Sequence, residues 1–427
     1  MKRHKLCVWM CLFLCLSMLT GCKCREDKEM KFRIAIASDL HYYAPNLTDY
    51  GELFQQVMQA GDGKVTEYCD QITDAFLEEV KKLQPEALIL TGDLSFNGER
   101  ESHETLAQKL AELEKCGIPV YVLPGNHDLF RSGTYSFFGS EAETVEAASD
   151  KDFRDIYSAF GFEEAISEDS DSLSYSIRLN ETARILMLNA NTLHDFCGFS
   201  DATLAWIEDQ LADAEAAGDF VLAACHQNLF QHSMFSAGYV VNKSEKLQAL
   251  LMKYHVPLFL SGHMHIQHIR TEGTITEIAA SALTMGACQY GILEATGDSF
   301  SYEARPVDVA AWSEDQGLPD EPFLSFSTYA LSRMEDRMRL QAKQHLTASG
   351  YSEDETRELS DYACALNTAY FSGDLSKVTA LDPEGKLLQE WKESGTFLGV
   401  YFASIENDIG KDYTHWSGQS CSAKPSA

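Results

Sequence analysis

The chain has 427 residues, room for one large domain and a smaller one, with an ordinary 45% apolar content and a formal net charge of −31. That charge excludes DNA and RNA as partners, because both need basic surfaces. It also repels phosphorylated ligands unless bound cations reverse the local field.

Lys2, Arg3 and Lys5 precede an apolar stretch over residues 6–19. The stretch is shorter than the roughly 20 apolar residues of a membrane span and suits the hydrophobic part of a secretory signal. It closes on Leu19-Thr20-Gly21-Cys22, which resembles the bacterial lipobox. The resemblance implies removal of residues 1–21 and diacylation of Cys22; an uncleaved anchor helix is the alternative. Residues 22–31 then read as a tether. The expected location is extracytoplasmic, lipid-anchored to the bacterial cell membrane, since several acyl chains hold a protein where one binds only marginally.

From residue 32 short apolar runs alternate with longer amphipathic ones. Phe32-Arg33-Ile34-Ala35-Ile36-Ala37 predicts a strand, residues 66–83 a helix with Ile72, Phe76, Val80 and Leu83 on one face, and Ala87-Leu88-Ile89-Leu90 a buried strand. A helix over 101–115 and a strand over 119–123 follow, and this β-α-β-α-β order implies a largely parallel sheet. Further strands are expected at 174–179, 184–189, 220–225, 257–260, 274–278 and 290–293, with helices at 204–217 and 244–254. The insert over 42–64 is either a lid or a plain surface excursion. Residues 32–305 form the main domain, and 306–320, rich in Gly, Pro and acids, a linker. Residues 321–412 form a small helical bundle, and 413–427 a polar, disordered tail.

Seven of the 12 cysteines lie beyond the leader and tether: Cys69, Cys116, Cys197, Cys225, Cys288, Cys364 and Cys421. They are scattered, odd in number and without a C-x-x-C pair, so neither zinc-thiolate nor disulfide framework is indicated. The chemistry lies elsewhere, in five motifs that each follow an apolar strand: Asp39-x-His41, Gly92-Asp93, Gly125-Asn126-His127-Asp128, the lone His226, and Gly262-His263-x-His265. Strand exits are where open α/β sheets place ligands. Singly these motifs are weak; in this order, each at a strand exit, they are not a chance collection.

The set resembles the calcineurin-like metallophosphoesterase superfamily over residues 32–293, and within it the cyclic-nucleotide phosphodiesterase-like lipoproteins of Gram-positive bacteria, which also carry a helical C-terminal domain. The resemblance implies an α/β fold, an αββα sandwich of two mixed sheets followed by a small all-α bundle. It implies two divalent ions (Mn, Fe or Zn), with Asp39, His41 and His265 on the first, Asn126, His226 and His263 on the second, and Asp93 bridging. Imidazole and oxygen donors without thiolate suit those metals, and a carboxylate can span ions about 3.5–4 Å apart. Two such ions outweigh the charges of Asp39 and Asp93, so the pocket is cationic on an acidic protein. A water between the ions then serves as nucleophile, His127 faces the leaving oxygen, and Asp128 is the candidate to orient His127.

The alternation in His263-Met264-His265 is expected to put both imidazoles on one side of an extended segment, and Cys225 should point away from His226. Two departures matter. Leu94-Ser95-Phe96-Asn97-Gly98 lacks the second Asp and the Arg that the family's protein phosphatases carry after Gly-Asp, which argues against phosphoprotein substrates. His226 is followed by Gln227-Asn228, which would put an amide near the substrate. His103 is expected in solvent, while His194, His232 and His268 stand between pocket-lining and structural roles.

The resulting expectation is a metal-dependent phosphodiesterase acting on a small, cyclic-nucleotide-like phosphodiester, with a membrane contact through its lipid anchor, no nucleic acid partner and no protein partner indicated. An extracytoplasmic nucleotidase or phosphomonoesterase is the alternative within the class. A surface binding lipoprotein with a vestigial phosphoesterase domain is the alternative outside it. The leader reading is checked by Cys22→Ala: the variant should leave the membrane fraction while the purified domain keeps its activity. A variant that still sediments with membranes counts against the lipobox.

Overall fold

The computed structural model describes residues 30–129, 133–192, 197–234, 238–318 and 321–419. Cys22, His194 and Cys421 lie outside these residues.

The first sheet begins with β1 (Lys31–Ala37). After an insert carrying α1 (Glu52–Gln59), the helix α2 (Cys69–Leu83) leads into β2 (Ala87–Leu90), and α3 (Arg100–Lys115) into β3 (Val120–Val122). β1, β2 and β3 pair in parallel, as short buried strands joined by helices must. A hairpin of β4 (Tyr135–Phe138) and β5 (Glu141–Thr144) and the helix α4 (Asp150–Ile156) follow. The second sheet takes β6 (Ser167–Glu168), β7 (Tyr175–Arg178), β8 (Ala183–Leu188), β9 (Phe220–Cys225), β10 (Leu258–Ser261), β11 (His268–Glu272) and β12 (Ile275–Ala279). Its spatial order is β11-β12-β10-β9-β8-β7-β6. The helices α5 (Asp201–Ala217) and α6 (Ser244–Lys253) connect β8 to β9 and β9 to β10. β13 (Gln289–Thr296) and β14 (Ser299–Pro306) return antiparallel to the far side of β1, so both sheets are mixed.

Strand alternation assigns the layers. Along β8, Ile185 and Met187 enter the core between the sheets, while Leu186 and Leu188 join Ile207, Leu211, Leu247 and Leu251 of α5 and α6. Leu222 and Ala224 of β9, against Val221, Ala223 and Cys225, divide in the same way. On the other side α2 and α3 bury Ile72, Phe76, Leu106 and Leu110 against the first sheet. This is the αββα sandwich expected from the sequence.

The C-terminal region departs from expectation in three places. Residues 309–316 are not linker but a helix, α7 (Val309–Gln316), capped by the Asp308 side chain and ended by Gly317 in the left-handed region. Val309 is buried and Trp312 packs on the sandwich core. The acid and glycine read as linker are its cap residues. The bundle follows as α8 (Phe326–Ala348), α9 (Glu353–Ser372), α10 (Val378–Leu381), α11 (Lys386–Glu393) and α12 (Phe397–Ser404). The sequence pattern predicts a last helix over residues 397–409, but α12 ends five residues earlier and a 3-10 turn over Glu406–Asp408 follows it.

The polar tail is not disordered throughout, because β15 (His415–Gln419) pairs with β14 as the sheet edge and Trp416 stacks on Phe300 with rings 13° apart. An edge strand wet on one side carries too few apolar residues to announce itself. The bundle also shares the sandwich interior: Phe326 and Ala330 belong to the central core, and Ile266 to the bundle core.

Candidate metal centre

All five motifs meet at one end of the sandwich. The turn after β1 carries Asp39 and His41, the turn after β2 Asp93, the loop after β3 Asn126 and His127, and the exits of β9 and β10 carry His226 and then His263 and His265. Asp39, His41, Asp93 and His265 offer ligand atoms all within 4.8 Å of one another. Asp93, His226 and His263 form a second such group. Asp93 belongs to both. The Asn126 carboxamide oxygen lies 3.0 Å from His226 Nε2, which places it with the second group as expected.

These positions require unusual backbone. Asp39 (φ 53°), His41 (42°), Asp93 (48°), His263 (69°) and His265 (59°) are all left-handed, a region that ordinary side chains enter rarely and at a cost. His263 and His265 therefore reach the centre through two left-handed turns and not through the pleat of an extended strand. Met264 does point away, into the bundle core. Gly92, with φ 96°, lies so close beneath the site that a Cβ there would meet His226 Nδ1 at 2.7 Å.

The hydrogen bonds set the tautomers. His226 Nδ1 donates to the Thr91 carbonyl (2.9 Å) and His263 Nε2 to the Gly238 carbonyl (2.9 Å), while His265 Nδ1 lies 3.3 Å from the Asp62 carboxylate. Each thereby turns its other nitrogen inward as a lone-pair donor. Those nitrogens then sit against one another, His226 Nε2 at 3.1 Å from His263 Nδ1 and His41 Nε2 at 3.2 Å from His265 Nε2. Asp39 Oδ1 is buried with no hydrogen-bond partner.

The charges agree. Burial penalises Asp39 and Asp93, yet histidines hold both well below the usual carboxylate range: His265 and then His226 for Asp39, and His226 and then His127 for Asp93. His226, against the pull of burial, is raised to about 9 by Asp93 and Asp39. His265, opposed by burial and Lys64, is raised to about 8 by Asp39 and Asp62. Burial and Lys64 push His41 well down, and burial and His226 bring His263 to about 4. Converging lone pairs that draw protons inward are what a cation site looks like from its side chains alone, so the residues fit divalent metal.

His127 sits beside this cluster, its ring edge-on to His41 at 5.0 Å. Its backbone N–H donates to Asp93 Oδ1 (2.7 Å), and its Nδ1 donates to the Phe96 carbonyl and lies 3.0 Å from Asn97 Oδ1. Asp128 does not orient it. The buried Asp128 carboxylate instead accepts from the backbone N–H groups of Leu94, Ser95 and Gly125 and from the Ser95 hydroxyl, tying the Gly-Asp turn to the Gly-Asn-His loop.

Other expectations are corrected too. His103 is fully buried, donating to the Asp128 carbonyl and accepting from Tyr157. Gln227 pairs with Asn191, and Asn228 with Ser261 and Glu277, so neither amide reaches a substrate. His232 lies between Glu277 (3.0 Å) and His268 (2.9 Å), outside the metal pocket. Cys225 points away from His226 into the helix-side core, as expected. Cys69, Cys197, Cys225, Cys288 and Cys364 are buried free thiols.

Sequence reasoning missed four residues. Asn97, Asp62, Lys64 and Tyr239 line the metal pocket, a cavity of about 640 Å³. Lys64, bonded to Asp62 at 3.0 Å and only 14% exposed, is the one lysine or arginine there among the described residues. The Gly61-Asp62-Gly63-Lys64 string looks like a surface turn, and only the Lys64–Met285 bridge turns it toward the site.

A two-sheet sandwich holding histidine and carboxylate ligands at its strand exits defines a metal-dependent phosphoester hydrolase. Residues 32–267 match the calcineurin-like phosphoesterase family, and residues 308–412 match the C-terminal domain of cyclic nucleotide phosphodiesterase. The chain belongs to the calcineurin-like phosphoesterase family. It is 26% identical over 242 residues to a probable glycerophosphodiester phosphodiesterase of Arcobacter nitrofigilis, covering 56% of this chain and 77% of that protein. It is 22% identical over 195 residues to a probable cyclic nucleotide phosphodiesterase of Moraxella catarrhalis, covering 45% of this chain and 63% of that protein, less than two thirds of its length. A solved dimetal phosphatase from Danio rerio aligns with TM-score 0.49 at 16% identity, over 64% of this chain and 96% of that one.

Because Asp93 belongs to both ligand groups, Asp93→Asn should lower bound metal toward one ion or none and abolish hydrolysis. Elemental analysis of the purified variant checks this, and two ions in an active variant would remove Asp93 from its central place.

Proposed function

We propose that the protein is a phosphodiesterase acting on a small phosphodiester with two divalent ions, Mn, Fe or Zn, and that it works outside the cytoplasm on a lipid anchor. The observation that carries the catalytic reading is the sharing of Asp93 between two ligand groups, with His127 fixed beside it. The diester preference draws support from the two relatives named as phosphodiesterases. When bound, the metals would supply Lewis-acid polarisation of phosphoryl oxygens and a water acidified to near neutral pH.

The chain's own residues do the rest. The Phe96 carbonyl and Asn97 hold the His127 Nδ1–H, leaving Nε2 to exchange a proton or hydrogen bond with the leaving oxygen. Asn97 thus does the work expected of Asp128. Lys64 offers its ammonium group to the substrate phosphate on a protein of net charge −31, in place of the arginine that the family's protein phosphatases carry and this sequence lacks. Asp62 holds both Lys64 and the outer nitrogen of His265.

His127→Ala should keep both metals and slow turnover by about 10²–10⁴ for esters with poor leaving groups, and by much less for nitrophenyl esters. An equal loss for all leaving groups would remove the proton-transfer role. Lys64→Met should leave metal content unchanged and raise KM on the order of 10-fold. A change in kcat alone would place Lys64 outside substrate binding.

A further inference from the structure

Both loops that carry the second ligand group pass over one fully buried carboxylate, Glu277 of β12. Just after His226, Glu277 Oε1 accepts from the Leu229 N–H (2.9 Å) and Oε2 from the Phe230 N–H (2.7 Å). Just before His263, Oε1 also accepts from the Ser261 hydroxyl (2.6 Å), which in turn accepts from the Asn228 amide (2.9 Å). Glu277 thus joins the exits of β9 and β10, much as Asp128 joins the two loops on the other side of the site.

From Glu277 a line of charged and titratable groups leads out to the C-terminal region. His232 Nε2 lies 3.0 Å from Glu277 Oε2, and His232 Nδ1 lies 2.9 Å from His268 Nδ1. His268 Nε2 lies 3.6 Å from Oδ1 of Asp408, in the 3-10 turn after α12, and the Tyr413 hydroxyl donates to that same oxygen (2.6 Å). Both histidines are only 5% exposed, and the His268 ring lies on Tyr413 with centroids 4.0 Å apart. Neither Nε2 has an aligned hydrogen-bond acceptor, so the two outer contacts hold by charge.

Two Nδ1 atoms at this distance share one proton, and each Nε2 that faces a carboxylate keeps its own. Three protons on four nitrogens give the pair one positive charge, set between Glu277 and Asp408. Burial penalises both carboxylates, yet His232 holds Glu277, and His268 holds Asp408, below the usual carboxylate range. Removing one member of such a buried set leaves its partner uncompensated, so the groups hold or shift together.

We propose that Glu277, His232, His268 and Asp408 form a positioning chain through which the C-terminal region sets the affinity of the second ion, the one assigned to Asn126, His226 and His263. The inference rests on the two-ion reading above and adds the residues that hold the second ligand group in place. Asp39 and His41, assigned to the first ion, stand on the turn after β1, and Glu277 makes no hydrogen bond to that turn among the described residues. The first ion should therefore be indifferent to the chain.

The test titrates Mn²⁺ into the metal-free full chain by calorimetry, while the EPR signal of exchange-coupled ions reports when both sites are filled. The parent should bind two ions. His268→Leu, which leaves His232 Nδ1 without its partner, should weaken one ion by about 10-fold and spare the other. His268→Gln, whose amide can still pair with His232, should recover most of that loss. Leu398→Ala, a cavity in the bundle core, should lower the melting temperature and leave both affinities alone. If His268→Leu fails to fold, Asp408→Asn takes its place, with a smaller weakening of the same single ion.

Equal weakening of both ions by His268→Leu, or an equal effect from Leu398→Ala, would make packing alone the cause and overturn the chain. Parent affinities in His268→Leu, or in Asp408→Asn where it stands in, would overturn the chain and leave the two-ion reading standing. A parent that binds a single ion overturns the two-ion reading and the chain with it.

Discussion

Asp93 is the point on which the rest of this structure depends. Its carboxylate belongs to both ligand groups, and it also accepts the His127 N–H, so a single side chain sets the spacing of the ligand groups and the place of the neighbouring imidazole. Such a carboxylate must be held rigidly, and the fold holds it from three sides. Gly92 lets the chain pass closely under His226 with a positive φ. The His41 N–H donates to the Asp93 carbonyl. Asp128 gathers the N–H groups of Leu94, Ser95 and Gly125 just behind. Asp128 is therefore a positioning residue that joins two loops, and His103, donating to its carbonyl, is the buried brace behind it.

The strain at this end of the sandwich has a physical logic. Five candidate ligand residues sit in the left-handed region, and such backbone persists only where surrounding contacts over-determine it. Here the contacts are the buried parallel strands and the acceptors Thr91, Gly238 and Asp62 behind the imidazoles, which also choose the tautomers of His226, His263 and His265. The same hydrogen bonds that hold the backbone also turn the lone pairs inward.

The C-terminal region is less separate than its composition implies. Phe326 and Ala330 complete the sandwich core, Ile266 enters the bundle core, and β15 returns after the bundle to close the first sheet. Met264 marks the junction, since its neighbours His263 and His265 line the metal pocket on one side while it packs into the helices on the other. The bundle is thereby held in register with the metal centre.

Local chemistry made much of this legible. Apolar runs such as Ala87–Leu90 and Phe220–Cys225 are strands at those bounds, because burial on both faces leaves no other pattern. The seven candidate ligand residues were readable because each belongs to a motif that follows such a run. The sequence did not show α7, whose acidic and glycine caps resemble a linker, or β15, whose half-wet edge lacks an apolar repeat. It also misassigned the partner of His127, choosing its chain neighbour Asp128 over Phe96 and Asn97. Asp62, Lys64 and Tyr239 stayed invisible for the same reason, being surface-like residues that acquire roles only from what packs against them. By itself the sequence determined the kind of strands, the candidate ligand residues and hence the class of chemistry, since these depend on residue type and near-neighbour spacing. Tertiary structure alone decided which polar groups orient the ligands and what lines the pocket, because those contacts join residues tens to hundreds of positions apart, and no local pattern encodes such distances.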